Sequence, residues 1–495
     1  MPHHFRPWRA LACAALLAGC SSSPPGSSGD SPDAGEPSDP GNPPPPGTPC
    51  PAVEVQRDVS VDNGYRSDRY TWRDAACRPR SAALVRNDVR DPTGKWGGYL
   101  RRHTYAVGSA TRSSGGATAQ HPGWGYLVNH FGDSAALSYS VQGSYRALLA
   151  GRHHALHEYR WRLTLGGQPV DATVHWFFAT GRDHPVWAVT FDSTPAARNA
   201  LNADTRAPYG DLLFDGDARA PIAGVGWGDH YRFRSLASPV TQASGWDYSE
   251  PNTVPFVRMW TAQPDAEMGA VQTQPWAQHD AGGFWFYPQW GKRSQAGPMP
   301  EDWNWPYQLN QYELPFTNDS HRLAWGTNYG AVGQAAYNAY GEETPRLSGY
   351  PYQSYAVHVV LGVHGEEPVL AQVAQVEAAQ QTGLSATRGT VLTQGPAGVG
   401  RTDAAPYAPV GYSPLYGTWE VQADADRATL RFEVRGAPLK HPLVVLRGYG
   451  AAGPPSRVTL DGAALQADVD YYASVDASVS HSAPAALPAA GWTDA

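Results

Sequence analysis

Lysine, cysteine and methionine are all scarce in this chain of 495 residues: basic residues are nearly all arginine, and there are 4 Cys and 4 Met. The arginine skew fits a genomic base-composition bias and carries little functional weight. No P-loop, no Rossmann glycine pattern and no basic low-complexity arm is present, which removes the commonest nucleotide-binding signatures. Net charge is −8, so a polyanion such as DNA is not a favoured partner, and nucleic-acid binding is not expected. No repeat of 40–50 residues recurs, which argues against a propeller. What the chain does have is aromatic density, with 18 Trp and 26 Tyr, and many short alternating segments between Gly, Pro and Asp turns.

The first twenty residues read "MPHHFRPWRALACAALLAGC". Arg6 and Arg9 form a positive start, and Ala10 to Ala18 form an apolar run too short to span a bilayer. Leu17-Ala18-Gly19-Cys20 resembles the lipobox of bacterial lipoproteins. The resemblance implies removal of residues 1–19, lipid attachment at Cys20 and membrane anchoring by several acyl chains. Ser21 after the cysteine resembles the pattern sorted to the outer membrane of Gram-negative bacteria. Without Arg6 and Arg9 the formal charge of −8 becomes −10. Residues 20–49 are almost only Ser, Pro, Gly, Asp and Glu after the cysteine; they cannot bury apolar area and read as a disordered tether. Cys13 leaves with the signal and Cys20 carries lipid, so Cys50 and Cys77 remain and are expected to form one disulfide in an oxidising compartment.

Residues 50–368 read as a large antiparallel β-domain. "HALHEYRWRLTL", "VDATVHWFFA", "VWAVTFDST" and "SYAVHVVLGV" alternate with period two and are rich in β-branched and aromatic residues. Gly166-Gly167 and "TGRDHP" (180–185) join successive strands as hairpins. Residues 369–410 read as a helix, with Val369, Val373 and Val376 at helical spacing, followed by a linker. Residues 411–495 read as a small C-terminal β-module with an irregular tail. The fold class expected is all-β: a large antiparallel sandwich, one linking helix and a small second sandwich. Its architecture and aromatic density loosely resemble the supersandwich folds of galactose-mutarotase-like and polysaccharide-lyase proteins. No catalytic residue transfers from that resemblance through a matched motif.

The segment "GRHHALHEYRWRL" (151–163) poses the sharpest functional question. On a helix, His153 and His157 would share a face as in zinc sites, but the alternation that follows makes this a strand. His153, Ala155, His157, Tyr159 and Trp161 then face the core, while His154, Leu156, Glu158, Arg160 and Arg162 form the other face. His175, on the partner strand, can approach Glu158 and His154 across the hairpin. Such a face is either an ordinary solvated surface or a cleft wall. A second cluster, "GVGWGDHYRFR" (224–234), offers Asp229, His230, Tyr231 and Arg232. Asp211, Asp215 and Asp217 are oxygen ligands that could hold calcium, though without EF-hand order; no other metal or cofactor is expected. Trp303, Trp305 and Tyr307, in "EDWNWPYQLNQYE", and Trp124, in "HPGWGYLVNHFG", suit the stacking of sugar rings.

These residues fit a surface-anchored enzyme that cleaves a polysaccharide, expected as a monomer with no partner but its glycan and the membrane holding its lipid. Hydrolysis needs two carboxylates, for which Glu158 and Asp229 are the pair. β-Elimination needs a neutralised carboxylate, a base and an acid. His175 or His230 with Tyr231 could transfer the protons, and Arg160 or Arg232 could neutralise; this reaction is slightly preferred. The alternative is a non-catalytic glycan-binding lipoprotein of the envelope.

Overall fold

A computed structural model describes residues 45–62, 64–107, 110–115, 122–129, 138–192, 194–197, 202–214, 222–228, 234–235, 254, 256–261, 265–273, 278–279, 283–284, 322–333, 348–392, 411–413 and 416–475. All of them belong to one compact unit, residues 39–495. The fold is all-β and its body is an antiparallel sandwich. One sheet runs in the order Glu54–Val61, Tyr65–Arg73, Pro79–Val85, Tyr99–Val107, Ala110–Gly115, Asn202–Phe214, Arg322–Gly333, with Trp124–Asn129 paired off this path. The other runs Arg234–Ser235, Ile222–Gly228, Phe256–Thr261, Ala266–Gln272, Ser348–Gly362, Val186–Asp192, Gln168–Ala179, His154–Leu165, Ser144–Ala150.

Period-two patterning explains how the sheets meet. Tyr70, Trp72, Leu84, Leu100 and Trp124 from the first sheet share one buried cluster with Tyr159, Trp161, Val174, Trp176, Phe178 and Trp187 from the second. Trp124 lies with its ring centroid 6.2 Å from Trp176 and 6.3 Å from Trp187. Aromatic side chains of this size give a sandwich core most of its buried apolar area. Part of the sequence's density of Trp and Tyr therefore serves packing.

The helix spans Pro368–Gln380 and turns Val369 and Val376 into the core. Proline at its start has no N–H to lose there. Fully buried Glu267 accepts the Val369 N–H at 3.2 Å and contacts His364 Nδ1 at 2.5 Å. Burial nevertheless raises the Glu267 carboxyl above its ordinary range, against the pull of His364 and Arg258. Gly383 is not part of the helix: Gly383–Arg388 is already a strand, paired with Thr429–Glu433.

The C-terminal module is built on Thr418–Gln422, which pairs antiparallel with Thr390–Val391 and Tyr412–Ser413 and parallel with Val444–Arg447. Val458–Leu460 and Ala463–Leu465 form a hairpin through Asp461 and Gly462, both at positive φ, as a two-residue turn demands. Cys50 and Cys77 form a disulfide across a sequence separation of 27 residues.

Candidate functional site

The hairpin of His154–Leu165 and Gln168–Ala179 turns through Gly166 and Gly167, both at positive φ. Its register sets Glu158 directly opposite His175. Ala155, Tyr159, Trp161 and Leu163 face the opposing sheet. On the other face, Leu156 and Phe177 pack with Tyr416 of the C-terminal module. That face is therefore covered rather than open. Glu158 and His175 are each 1% exposed.

Beneath the module these side chains form a chain of hydrogen bonds. His175 Nε2 is 3.1 Å from Glu158 Oε2, and His175 Nδ1 is 2.8 Å from the Tyr416 hydroxyl. Arg146 Nε and Arg160 Nε each lie 2.6 Å from Glu158 Oε1. Burial opposes ionisation of Glu158, but the bonds and charges from His175, Arg160 and Arg146 outweigh it and hold the carboxyl well below its ordinary range. An ionised Glu158 only accepts, so His175 donates to it from Nε2, while its Nδ1 meets the Tyr416 hydroxyl. Arg160 thus spends its guanidinium on Glu158.

His154 shares the face but turns to the module's tail: its Nδ1 is 2.9 Å from Ser474 Oγ. Burial, then the charges of His153 and Arg182, push it down to about 3. His153 Nε2 meets Asp468 Oδ1 at 2.7 Å. On the core side, His157 Nδ1 lies 2.9 Å from the hydroxyls of both Tyr70 and Tyr145.

A cavity of about 470 Å³ opens elsewhere, where the end of the second sheet, the helix and the module meet. The turn after Ala179 contributes Arg182, Asp183 and His184, and Ser348–Gly362 contributes His358. The helix supplies Ala371 and Val376, and the module supplies Tyr412, Trp419, Lys440 and His441. Arg182 reaches the module backbone, donating to the Gly417 carbonyl at 2.7 Å and the Tyr416 carbonyl at 3.4 Å. Gly417 has φ +64°; a Cβ there would lie 3.4 Å from Arg182 Nη1, 3.5 Å from the Tyr412 hydroxyl and 3.8 Å from His358 Cε1. These three groups converge on one point, and glycine leaves it open.

The electrostatics of the cavity follow from burial. Arg182 is pushed down to about 10 by burial, Tyr412 up to about 12 by burial. His184 is lowered by burial and then by Arg80, and His358 by burial and then by Arg182. Burial opposes ionisation of Asp183, but Arg80 chiefly, and a 2.8 Å bond from the Ala75 N–H, hold it below its ordinary range. The Nδ1 atoms of His184 and His358 are buried without a hydrogen-bond partner. At neutral pH the cavity therefore offers neutral imidazoles, a phenol and a guanidinium around an apolar floor. Sequence reasoning missed this site because its parts come from a turn read only as a hairpin link, a lone strand histidine and the module. "TGRDHP" carried the available signal: three polar side chains in one tight turn.

Trp124 requires a correction. It was expected in an exposed loop for sugar stacking, and it is fully buried between the sheets, because it begins a strand whose alternation points it inward. Asp211 lies on the strand Asn202–Phe214 opposite Ala324, within a ladder. Cys20, Asp215, Asp217, Asp229, His230, Tyr231, Arg232, Trp303, Trp305 and Tyr307 lie outside the described residues. Among the described residues no group of three or more His, Cys, Asp or Glu is placed to hold a metal ion.

No protein-family model matches the chain, and no curated protein sequence does. Among solved structures, a GalM/aldose epimerase homologue from C. elegans matches at 9% identity with a TM-score of 0.28, covering 57% of this chain and 96% of that one. A likeness that slight does not bear on activity.

Proposed function

We propose that this is a carbohydrate-active protein of the bacterial cell envelope, anchored through lipid on Cys20, that takes its saccharide in the cavity between body and module. The observation that supports this is the cavity itself. Its volume of about 470 Å³ is that of a ligand pocket, it lies at a junction of structural units, and a few polar groups converge over an apolar floor. The Glu158, His175 and Tyr416 network, by contrast, is covered, with Glu158, His175 and Tyr416 all buried.

Cleavage of a polysaccharide by β-elimination remains the preferred reaction over hydrolysis. Hydrolysis asks for two carboxyl groups flanking the bond. Of the carboxylates lining the cavity, Asp183 accepts the Ala75 N–H close to the charge of Arg80, and Glu366 is exposed. Elimination asks for a neutralised carboxylate, for which Arg182 is at hand, and for a base and an acid. His184 or His358, neutral through burial, would accept the proton, and the Tyr412 hydroxyl would donate to the leaving oxygen.

The test is a panel of neutral and uronic acid polysaccharides, followed by reducing ends and by the ultraviolet absorbance of unsaturated uronates. His358→Ala is expected to lower turnover about 10²–10⁴-fold with little change in glycan affinity, since proton transfer acts in the transition state. Glycan binding without any bond cleavage would instead identify a binding lipoprotein. Absence of any glycan binding would end the carbohydrate reading. For the anchor, a fatty acid analogue should label the wild type and not Cys20→Ala; label on the variant would refute it.

A further inference from the structure

We infer that the cavity is an anion-binding site divided between body and module, and that a sugar acid bound there through its carboxylate locks the C-terminal module onto the body. The choice of a sugar acid rests on the carbohydrate reading above; the anion site does not.

The argument begins with Arg182. Arg182 is half-buried, and a guanidinium partly withdrawn from water favours an anionic partner. Among the described residues none forms an ion pair with Arg182: its bonds go to the neutral carbonyls of Tyr416 and Gly417. A guanidinium has five N–H donors, so the side chain keeps donors for a ligand at the cavity wall. The cavity's own carboxylates do not supply the missing charge. Asp183 accepts the Ala75 N–H at 2.8 Å and is already balanced by the nearby charge of Arg80, and Glu366 is exposed.

The remaining groups extend the same recognition. The Nδ1 atoms of His184 and His358 are buried, unpartnered and suited to the hydroxyls of a sugar. From the module side, Lys440 adds a second positive charge at the exposed margin. His441 closes on Gly181, where a Cβ would stand 3.9 Å from its Nδ1. A carboxylate on Arg182 would thus meet body residues on one side and module residues on the other. A ligand that contacts both parts binds the docked state better than the undocked one, so binding and docking must favour each other.

The experiment is hydrogen–deuterium exchange on the purified protein, read at Thr418–Gln422 and Val444–Arg447, with glucuronate, glucose or inorganic sulfate. Calorimetry with the same probes is run in parallel. Glucuronate should slow exchange about tenfold or more, and glucose should not. Its affinity should exceed that of glucose by about 10- to 100-fold, the effect of one charge-assisted bond. Arg182→Met should abolish the response. Because Arg182 also holds the Gly417 carbonyl, Lys440→Met is the second variant. It should leave ligand-free exchange at the wild-type rate while weakening glucuronate binding severalfold.

Equal protection by glucose and glucuronate would overturn the anion inference and leave the carbohydrate reading standing. Protection by sulfate but by neither sugar would uphold the anion site and sink the sugar acid. Glucuronate binding without slowed exchange would overturn the locking. Protection by none of the three probes would overturn the site itself.

Discussion

Removing Glu158 tests whether one imidazole ties the sandwich body to its C-terminal module. Glu158→Ala strips partners from three side chains at once. Arg146 and Arg160 keep 36% and 27% of their side-chain surface in solvent, so water takes over their charges. Each of those pairs is worth about 0.5–1 kcal/mol. His175 has no such escape at 1% exposure. Its buried Nε2–H left without an acceptor costs about 1–3 kcal/mol. The sum is about 2–5 kcal/mol, centred near 3 kcal/mol. Tyr416→Phe removes one neutral hydrogen bond from the opposite nitrogen, about 1 kcal/mol. Because both partners act on the same ring, the two losses should not add. With Glu158 gone, the ring is free to readjust its bond to Tyr416. Urea titrations of wild type, both single variants and the double variant measure this coupling, expected at about 0.5–2 kcal/mol. Additivity within about 0.3 kcal/mol would refute His175 as the link.

Acid should weaken the fold early. His103, His154, His157, His184 and His358 are all pushed below the ordinary histidine range, burial being the leading cause in each. The unfolded chain accepts protons there that the native one refuses. Their stabilisation is full above about pH 6.5 and is lost as pH falls toward the folded values, at up to about 1.4 kcal/mol per histidine per pH unit. Urea midpoints unchanged between about pH 7 and pH 5 would contradict this. Paired Cys50→Ser and Cys77→Ser substitution should cost about 3–4 kcal/mol, from the entropy of closing a loop of 27 residues' separation; an unchanged unfolding midpoint would count against it. Gly417→Ala should cost about 1 kcal/mol for its left-handed backbone and should also reduce ligand affinity, because the new methyl group occupies the point where Arg182, Tyr412 and His358 converge. Unaltered affinity would move the ligand away from that point.

Local patterning carried much of the fold. The strands His154–Leu165 and Gln168–Ala179 follow period two so regularly that both their faces and the glycine turn could be read directly. The hairpin at Asp461 and Gly462 follows from turn chemistry, since such a pair suits a two-residue turn. Trp124 was misread because turn-forming neighbours suggested a loop, whereas tertiary pairing extends a strand there. The Glu158 and His175 pairing followed from hairpin register, but the cover over it did not. Tyr416 lies 241 residues beyond His175, and nothing in either segment announces the other. The cavity was invisible for the same reason: Arg182, His358 and Tyr412 belong to three separate stretches; strand pairing brings Arg182 near His358, and docking of the module adds Tyr412.

Tyr416 has a consequence for how the chain comes to be folded. Leu148, Leu156, Phe177, Ala179, Val186, Ala188 and Ala356 form an apolar strip on the outward face of the second sheet, with Tyr416 packed among them. All seven are synthesised before Tyr416. A nascent body, even with every strand paired, therefore displays that strip until the last eighty or so residues arrive. Shortening the chain at its C-terminal end would make the exposure permanent. A fragment cut after the helix is therefore expected to self-associate through this strip, which the module covers in the whole chain.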